Sequence, residues 1–368
     1  MSAPAPRPGI LTITPYVGGE SRLPGIENPV KLSSNEGALG PSPRAVDAYR
    51  AAADAVHRYP DGHAVALREA IAERFHVRAE QVVCGAGSDE LLALLAQAYA
   101  GPGDEVLHSE HGFLMYPIAA RAVDATPVAA PEANLTADVD ALLARVSDRT
   151  RIVYLANPNN PTGTWLSRAE LGRLRAGLPD HVLLVLDAAY AEFADAPDYS
   201  PGIDLVEATD NTVMTRTFSK IFALSGLRLG WCHAPPHVVD VLNRIRGPFN
   251  VSGPAQAAGE AAVRDEAFFA ESQQHNAAWR PWFTAKLRGL GLDVPDSGGN
   301  FVLARFPGTN GRTAEAADAF LRGRGIIARR MGSYGLPDSL RITIGAGPDL
   351  EACADALTAF MEGGHGVS

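Results

Sequence analysis

One lysine near the middle of the chain stands among residues that could together carry out imine chemistry. Lys220 ends the run Thr-Phe-Ser-Lys, and Arg228 follows it in Gly-Leu-Arg-Leu-Gly. Upstream, Asn160 lies in the run Asn-Pro-Asn-Asn-Pro-Thr-Gly, and Asp187 directly follows an apolar run. A lysine amine forms a Schiff base with an aldehyde. An aspartate can keep a pyridine nitrogen protonated, and an arginine with nearby hydroxyls can bind a phosphate.

These residues match the four requirements of pyridoxal 5'-phosphate, which are an imine, a partner for the pyridine nitrogen, a donor to the ring oxygen and a phosphate site. Lys220 would form the imine and, once freed, act as general base and acid. Asp187 would hold the ring nitrogen, while Asn160 and Tyr190 would donate to the ring oxygen. Each residue also has an ordinary alternative, such as a surface lysine, a helix cap, a turn or a packed aromatic. The prediction therefore rests on the occurrence of all these residues together in this order along the chain.

The phosphate of such a cofactor needs its own group of donors. The run Cys-Gly-Ala-Gly-Ser-Asp-Glu at residues 84–90 joins a predicted strand to a helix, and such glycine-rich entries aim backbone N–H groups at an anion. It lacks the Gly-Lys-Ser/Thr of a nucleotide P-loop and the third glycine of a dinucleotide fingerprint. Ser88 could instead be an ordinary helix N-cap. The residues that would complete a phosphate cup with Gly87 and Ser88 are Thr217, Ser219 and Arg228.

Further side chains could contact the flat or charged parts of a ligand. Phe113 could stack on the pyridine face, although a lone aromatic is more often a core residue. Arg341 lies in an alternating strand pattern, on the face opposite the apolar residues. The arginine fork suits bidentate binding of a carboxylate or a phosphate, but an exposed strand arginine is equally compatible with this pattern. Either Arg329 or Arg330, on a neighbouring predicted strand, could add a second anion contact.

The elements that must position these residues alternate between short apolar strands and helical segments. This alternation predicts an α/β fold with a large, doubly wound, mostly parallel sheet, which binds ligands beyond the carboxyl ends of its strands. Asn160, Asp187 and Lys220 all follow predicted strand ends. The predicted strands are 81–84, 105–109, 151–156, 182–186, 212–216 and 228–233. The predicted helices between them are 88–100, 138–146, 168–176 and 236–246.

The C-terminal part has the element order of a smaller α+β domain. A long helix at about 265–290 is predicted to kink or break at Pro281. It is followed by predicted strands at 300–306, 326–331 and 339–345 and by predicted helices at 313–323 and 349–362. The predicted domains are an N-terminal arm with part of the small domain at 1–45, a large cofactor-binding domain at 46–280 and a small C-terminal domain at 281–368.

Composition argues against several classes of partner. A formal net charge of −10 without a long basic stretch predicts no nucleic-acid or membrane binding. A cofactor-binding transcriptional regulator would need a basic DNA-binding module, and none precedes the predicted domain. The ten histidines form no plausible metal motif, so no metal is expected. The three cysteines are too far apart in sequence to predict disulfides. With no signal-peptide layout and no membrane-length apolar run, a cytoplasmic protein is predicted.

The motifs resemble those of the fold-type I pyridoxal-phosphate aminotransferases, and specifically the histidinol-phosphate aminotransferase family. The Asn-Pro-x-Asn-Pro-Thr-Gly and Ser-Lys motifs occur in many related aminotransferases. The Gly-Ser-Asp-Glu and Tyr-Pro-Asp-Gly motifs narrow the choice among these relatives to this family. The chain departs from the family where it has Gly37 and Ala38 for Asn-Pro, and Phe113 for a frequent tyrosine. The matching segments run nearly from end to end, at 31–36, 59–62, 85–90, 157–163, 187–190, 217–220, 226–228 and 340–345.

The resemblance implies a homodimeric enzyme that moves an amino group between L-histidinol phosphate and 2-oxoglutarate with pyridoxal 5'-phosphate. The products would be imidazole acetol phosphate and glutamate, in histidine biosynthesis. An aromatic amino-acid aminotransferase and a threonine-phosphate decarboxylase-like enzyme are the alternatives on the same scaffold. The amino donor and the 2-oxo acid would be the small-molecule partners.

The resemblance also implies a role for each site residue. Lys220, Asp187 and Tyr190 would be catalytic. Tyr59 would reach the cofactor phosphate from the partner subunit, so the active sites would be shared. The residues that would bind the cofactor are Gly87, Ser88, Asp89, Phe113, Asn160, Asp187, Tyr190, Thr217, Ser219, Lys220, Arg228 and Tyr59. Those that would face the substrate are Tyr16, Arg329 and Arg341.

Overall fold

A seven-stranded sheet organises most of the chain in the computed structural model, which describes residues 4–363. The strands are β1 (Val30–Lys31), β2 (Val82–Gly85), β3 (Glu105–Ser109), β4 (Thr126–Ala130), β5 (Glu132–Ala133), β6 (Thr136–Ala137), β7 (Thr150–Ala156), β8 (Leu183–Asp187), β9 (Thr212–Thr217), β10 (Gly230–His233), β11 (Phe301–Arg305), β12 (Ile326–Ile327), β13 (Arg329–Met331) and β14 (Leu336–Thr343). The α-helices are α1 (Pro8–Leu11), α2 (Pro43–Ala52), α3 (Val65–Phe75), α4 (Ser88–Tyr99), α5 (Met115–Ala122), α6 (Val139–Ala144), α7 (Arg168–Gly177), α8 (Ile203–Ala208), α9 (Pro236–Ile245), α10 (Gly253–Arg264), α11 (Glu266–Gly289), α12 (Ala314–Arg322) and α13 (Gly347–Met361). Among the described residues, no helix combines the length and apolar character needed to cross a bilayer.

The large sheet has the order β2-β10-β9-β8-β7-β3-β4, and every pair in it is parallel except the two pairs that β10 makes. The other six strands therefore end at one edge of the sheet, and β10 begins at that edge. Gly230 lies in register with both Gly85 and Thr217. The predicted doubly wound, mostly parallel sheet is confirmed, and the loops that follow β2, β7, β8 and β9 meet at one place.

The central strands are buried because helices cover both faces of the sheet. All five residues of β8 are buried, as its run without polar alternation predicts. Leu183 and Val185 pack in one apolar cluster, with residues of α4, α5 and α9. Leu184 and Leu186 point to the opposite face and pack with residues of α6 and α7. The alternation of side chains along a strand thus gives the sheet two separate cores.

The C-terminal elements form a separate apolar cluster around the antiparallel sheet β11-β14-β13 and the helices α11, α12 and α13. The N-terminal strand β1 joins this part through parallel pairing with β12. Leu32, which follows β1, is buried in the same cluster. The segment after Leu32 is therefore held between the small sheet and the edge of the large one. The predicted domain boundary at 280 and 281 falls inside α11, and the division into domains stays a prediction.

Two predicted strands have the wrong bounds, and the helix predicted at 265–290 does not break at Pro281. The strand predicted at 228–233 begins only at Gly230, because Arg228 adopts a left-handed backbone with φ of 50°. Helix α11 continues through Pro281, and buried Arg280 and Phe283 anchor it on either side of the proline. The strand predicted at 326–331 is two strands, of which β12 pairs with β1 and β13 with β14.

Several elements carried no prediction. They are α1, α2, α3, α5, α8, α10, β1, β4, β5 and β6. Ser42 accepts hydrogen bonds from the backbone N–H groups of Arg44 and Ala45 at the start of α2, a typical N-cap with proline at the first helical position. Helix α10 then packs on α2 and α3, so these helices are stabilised by tertiary contacts that local sequence does not display.

We expect the substitution Gly230→Ala to destabilise the protein. A Cβ at Gly230 would overlap the backbone nitrogen of Ser88 and lie 2.6 Å from the carbonyl carbon of Gly87. Backbone cannot swing aside as a flexible side chain can, so the loop between β2 and α4 must move. The cost should be about 1–3 kcal/mol, measured as a lower midpoint of denaturant unfolding.

Gly172→Ala in α7 is the matched control, since a Cβ there meets no atom within 4 Å. Alanine is the better helix former, so this variant should be neutral or gain about 0.5–1 kcal/mol. An unchanged midpoint in Gly230→Ala would show that the loop does not lie against β10.

Candidate active site

One cavity at the carboxyl edge of the large sheet collects most of the predicted site residues. Its volume is about 260 Å³, and it lies between the sheet edge and the small C-terminal sheet. The predicted residues that line it are Tyr16, Ser88, Asp89, Phe113, Asn160, Asp187, Tyr190, Thr217, Ser219, Lys220, Arg228, Arg329 and Arg341. Gly87 and Tyr59 are the predicted residues that do not line it.

Lys220 places an amine in this cavity directly after β9 and its short turn. Its Nζ donates a hydrogen bond to the carbonyl oxygen of Ser34 at 3.3 Å, and it lies 5.5 Å from the centre of the Tyr190 ring. The amine faces the cavity, yet the surrounding protein removes most of its water. This desolvation, with a further contribution from the Arg341 charge, lowers the pKa of Lys220 to about 8. A neutral, nucleophilic amine is therefore available close to neutral pH.

Asp187 places a buried carboxylate at the end of β8. Burial raises the pKa of Asp187 to about 6, and hydrogen bonds from Tyr116, Thr215 and the backbone N–H of Ala189 oppose that rise. The Tyr116 hydroxyl donates to Oδ2 at 2.9 Å, and the Thr215 hydroxyl donates to Oδ1 at 3.3 Å. The carboxylate is thus ionised at neutral pH and suited to pair with a protonated ring nitrogen.

Asn160 and Tyr190 are oriented as hydrogen-bond donors by their neighbours. Arg341 Nη1 donates to Asn160 Oδ1, which leaves the Asn160 amide N–H groups to face other acceptors. Asn35 Nδ2 donates to the Tyr190 hydroxyl oxygen at 3.0 Å, which leaves the hydroxyl proton of Tyr190 free to be donated. Both side chains line the cavity. The arrangement suits an acceptor such as the ring oxygen of a pyridoxal cofactor.

Arg341 joins the small sheet to the cavity. It lies on β14, and its Nη2 donates to the carbonyl oxygen of Ser33 at 2.9 Å. Burial lowers the pKa of Arg341 from its usual value, but guanidinium remains charged in proteins. Its Nε is buried and has no hydrogen-bond partner among residues 4–363. A buried, partly unsatisfied guanidinium at a cavity wall is suited to bind a carboxylate.

The predicted phosphate cup has the required donors at the start of α4. Arg228 Nη1 donates to the Ser219 hydroxyl at 3.3 Å, and Nη2 pairs with Asp89 at 3.1 Å. Gly87 is the N-cap of α4 and has φ of 84°. A Cβ on Gly87 would overlap Arg228 Nη2, so glycine lets the guanidinium approach the helix start. Ser88 is the first residue of α4 rather than its N-cap, and it lines the cavity.

The two neighbouring arginines of β13 lie in different surroundings. Arg329 lines the cavity, and its Nη2 donates to the carbonyl oxygen of Val17 in the N-terminal arm at 2.6 Å. Arg330 forms an ion pair with Glu315 at 3.1 Å and is absent from the cavity wall. Alternation along the strand separates them. Of the two alternatives that the sequence left open, Arg329 is the residue at the site.

The aromatic residues of the site form a short row. Phe113 packs edge-on against Tyr116 at 5.9 Å between ring centres, and Tyr16 of the arm packs edge-on against Phe113 at 6.4 Å. Tyr59 lies elsewhere, with 83% of its surface exposed and its ring stacked on Phe249 at 4.6 Å. Its assignment to a shared site stays a prediction.

Sequence reasoning missed several residues that the structure places at the site, among them Ser34, Asn35 and Tyr116. Ser34 and Asn35 line the cavity, and Tyr116 contacts Asp187 behind it. The run Ser-Asn-Glu that contains Asn35 was part of the family resemblance, so that motif was a usable signal. Tyr116 stands on a helix that the sequence did not predict, and no local pattern ties it to a residue 71 positions away.

Comparison with known proteins agrees with this geometry. The family described as aminotransferase class I and II matches residues 27–360. The chain is 60% identical over 361 residues to the histidinol-phosphate aminotransferase of Paramagnetospirillum magneticum, covering 98% of this chain and 99% of that one. It is 61% identical to the enzyme of the same name from Rhodospirillum centenum, covering 99% of this chain and 100% of that one.

Solved structures extend the likeness to the fold. A crystal structure of histidinol-phosphate aminotransferase from Sinorhizobium meliloti in complex with pyridoxal-5'-phosphate has a TM-score of 0.88 at 28% identity, covering 98% of this chain and 99% of that one. An aspartate aminotransferase from Thermus thermophilus shares the fold, with a TM-score of 0.79 at 22% identity, covering 90% of this chain and 91% of that one.

We expect Lys220 to react as an unusually acidic lysine in the cofactor-free protein. The chain has three lysines, Lys31, Lys220 and Lys286, so each can be followed by peptide mapping. Only a neutral amine is acylated, and the lowered pKa makes Lys220 neutral at lower pH. Labelling with a trace of acetic anhydride at a series of pH values should give Lys220 a midpoint of about 8. A midpoint above about 10, the ordinary lysine value, would contradict the desolvated environment.

Proposed function

This chain belongs to the class I and II aminotransferases, and we propose that it transfers an amino group between L-histidinol phosphate and 2-oxoglutarate with pyridoxal 5'-phosphate as cofactor. The observation that carries the proposal is one cavity that holds the Lys220 amine, the Asp187 carboxylate and the Arg341 guanidinium. The two relatives that match at 60% and 61% identity over nearly their full length are named for this reaction. The products are imidazole acetol phosphate and glutamate, and the step belongs to histidine biosynthesis.

The cavity fits pyridoxal phosphate at each of its functional groups. The start of α4, kept open by Gly87, suits the phosphate, and the buried Asp187 suits a protonated ring nitrogen. When bound, this cofactor supplies an aldehyde that accepts the amino group and a protonated ring that withdraws electrons from the substrate α-carbon. The residues that would hold it are Gly87, Ser88, Asp89, Phe113, Asn160, Asp187, Tyr190, Thr217, Ser219, Lys220 and Arg228.

Lys220 moves the proton in this proposal. Its Nζ would act first as a general base that takes a proton from the substrate α-carbon. It would then act as a general acid that delivers the proton to the carbon of the cofactor's aldehyde group. A pKa of about 8 matches this double role, because the amine can exist in either protonation state near the working pH. Asp187 stays ionised and would balance the positive charge of the protonated ring nitrogen. Tyr190 keeps its hydroxyl proton directed to an acceptor because its oxygen already accepts from Asn35.

Two arginines account for the choice of substrates. Glutamate carries two carboxylates, whereas histidinol phosphate carries a phosphate and a neutral hydroxymethyl group. Arg341 lies deep in the cavity beside Asn160 and suits the α-carboxylate of glutamate. Arg329 lies at the arm, beside Tyr16 on the cavity wall, and suits the second anion of either substrate. The planar guanidinium fork matches carboxylate and phosphate alike.

A homodimer belongs to the same proposal. Several large apolar side chains that follow β1 in the chain are exposed, among them the stacked pair Tyr59 and Phe249, and a second copy of the chain would cover them. Tyr59 of the partner subunit would then reach the phosphate cup, as the family resemblance implies. These exposed apolar residues are Leu39, Tyr49, Val56, Tyr59, Val65, Ile245 and Phe249.

A cytoplasmic location also belongs to the proposal.

Steady-state comparison of amino donors tests the substrate. We expect a higher kcat/KM for histidinol phosphate than for phenylalanine with 2-oxoglutarate as acceptor. Arg329→Ala should lower kcat/KM for histidinol phosphate by about ten- to a hundred-fold, because that is what a hydrogen bond to a charged group contributes. The kcat/KM for phenylalanine should fall less, since phenylalanine has no second anion. Arg330→Ala is the control, since Arg330 pairs with Glu315 away from the cavity.

Two results would count against this assignment. A preference of the wild-type enzyme for phenylalanine would favour an aromatic amino-acid aminotransferase instead. Equal losses for both donors in Arg329→Ala would place the substrate phosphate elsewhere.

Mixing two impaired variants, Lys220→Ala and Tyr59→Phe, tests the shared site. Lys220→Ala removes the amine of its own site, and Tyr59→Phe weakens the phosphate contact that it would make in the other subunit. A heterodimer of the two contains one site with both native residues, so cofactor affinity and activity should recover on mixing. Lys220→Ala mixed with Asp187→Ala is the control and should stay inactive, because both residues lie in the cavity of one chain. Recovery no greater than that of the control pair would contradict the role of Tyr59.

A further inference from the structure

Tyr116 is a buried residue that lies behind the cavity and contacts the key carboxylate. It stands on α5, is fully buried, and donates its hydroxyl hydrogen bond to Oδ2 of Asp187 at 2.9 Å. Burial and the neighbouring Asp187 charge raise the pKa of Tyr116 well above its usual value. The phenol therefore stays protonated and can only act as a donor toward the carboxylate.

A second tyrosine fixes the Tyr116 ring in place. Tyr154 of β7 is also fully buried, and its ring is stacked on Tyr116 at 4.9 Å between centres and 11° between planes. The Tyr154 hydroxyl donates to the carbonyl oxygen of Leu92 in α4 at 2.7 Å. On another side, Phe113 packs edge-on against Tyr116. Turning the ring away from Asp187 would disturb its packing against Tyr154 and Phe113.

The hydrogen bond acts on both the charge and the orientation of Asp187. Burial favours the protonated acid and raises its pKa, whereas a donor to the carboxylate favours the ionised form. The bond from Thr215 is longer, at 3.3 Å, so Tyr116 supplies the shorter of the two side-chain contacts. A protonated Asp187 could not balance the charge of a protonated ring nitrogen. Loss of the Tyr116 hydroxyl would therefore weaken the site without removing any group that touches the ligand.

We propose that Tyr116 is a positioning residue that keeps the Asp187 carboxylate ionised and oriented for the ring nitrogen of the cofactor. This inference deepens the proposed function and rests on it, because Asp187 has this duty only if a pyridoxal cofactor binds in the cavity. Tyr116 does not line the cavity, so its hydroxyl acts on the site through its hydrogen bond to Asp187.

The pH dependence of cofactor binding tests the proposal. The affinity of the cofactor-free protein for pyridoxal phosphate would be measured by fluorescence quenching across the pH range, beside the pH profile of kcat/KM. Binding to the wild-type protein should weaken below about pH 6, where Asp187 becomes protonated. In Tyr116→Phe, this limb should move up by about one pH unit, as expected when a hydrogen bond to the charged form is lost. The titration of the cofactor itself is the same for every variant.

Tyr154→Phe is the matched control. It removes a buried hydroxyl from the other ring of the same stack, but that hydroxyl contacts Leu92 and not Asp187. Its pH profile should follow the wild type, while the thermal stability of both variants reports the structural cost. Equal shifts of the pH limb in Tyr116→Phe and Tyr154→Phe would overturn the proposal.

A double variant separates this proposal from the proposed function. Asp187→Asn cannot ionise, so adding Tyr116→Phe to it should change cofactor affinity and its pH profile no further. A full additional shift in the double variant would mean that Tyr116 acts by another route. If Asp187→Asn by itself bound pyridoxal phosphate like the wild type, the assignment of Asp187 in the proposed function would fail. If Asp187→Asn changed the profile and Tyr116→Phe did not, the role proposed for Tyr116 would fail while the assignment of Asp187 would stand.

Discussion

The common direction of six strands in the large sheet is the constraint on which the site depends. Because β2, β7, β8 and β9 all end at one edge, the loops that follow them bring the predicted phosphate cup, Asn160, Asp187 and Lys220 to the same place. The antiparallel β10 lies between β2 and β9 and begins at this edge. It therefore brings Arg228, just before the strand, to the start of α4. Residues spread over much of the chain become neighbours because the strand ends coincide.

Burial of opposite charges then sets the chemistry of the cavity. Desolvation moves the pKa of Asp187 up to about 6 and that of Lys220 down to about 8. Both shifts bring the groups closer to neutral pH, which is typical of residues that hold or move protons in enzymes. The cost of burying a carboxylate is offset by donors from three directions, among them Tyr116. A site of this kind needs a rigid surrounding core, and the stack of Tyr116 on Tyr154 provides one.

The small C-terminal sheet completes the site by binding to the edge of the large one. Arg341 donates to Asn160 and to the carbonyl oxygen of Ser33, while Asn35 bridges Tyr190 and Thr343. These bonds orient groups of the large sheet from outside it. A shift of the small sheet would therefore change the donors that face the ligand as well as the size of the cavity.

The sequence by itself determined the chemical groups and the order of the central elements. Apolar runs such as 182–186 predict buried strands from local periodicity, and residues that follow these runs, such as Asn160, Asp187 and Lys220, line the cavity. The choice of Arg329 over Arg330, the role of Asn35 and the contact of Tyr116 with Asp187 were decided only by the tertiary structure. The last two rest on hydrogen bonds between residues 155 and 71 positions apart. Local periodicity cannot predict such bonds, because they depend on how distant helices and strands pack against each other.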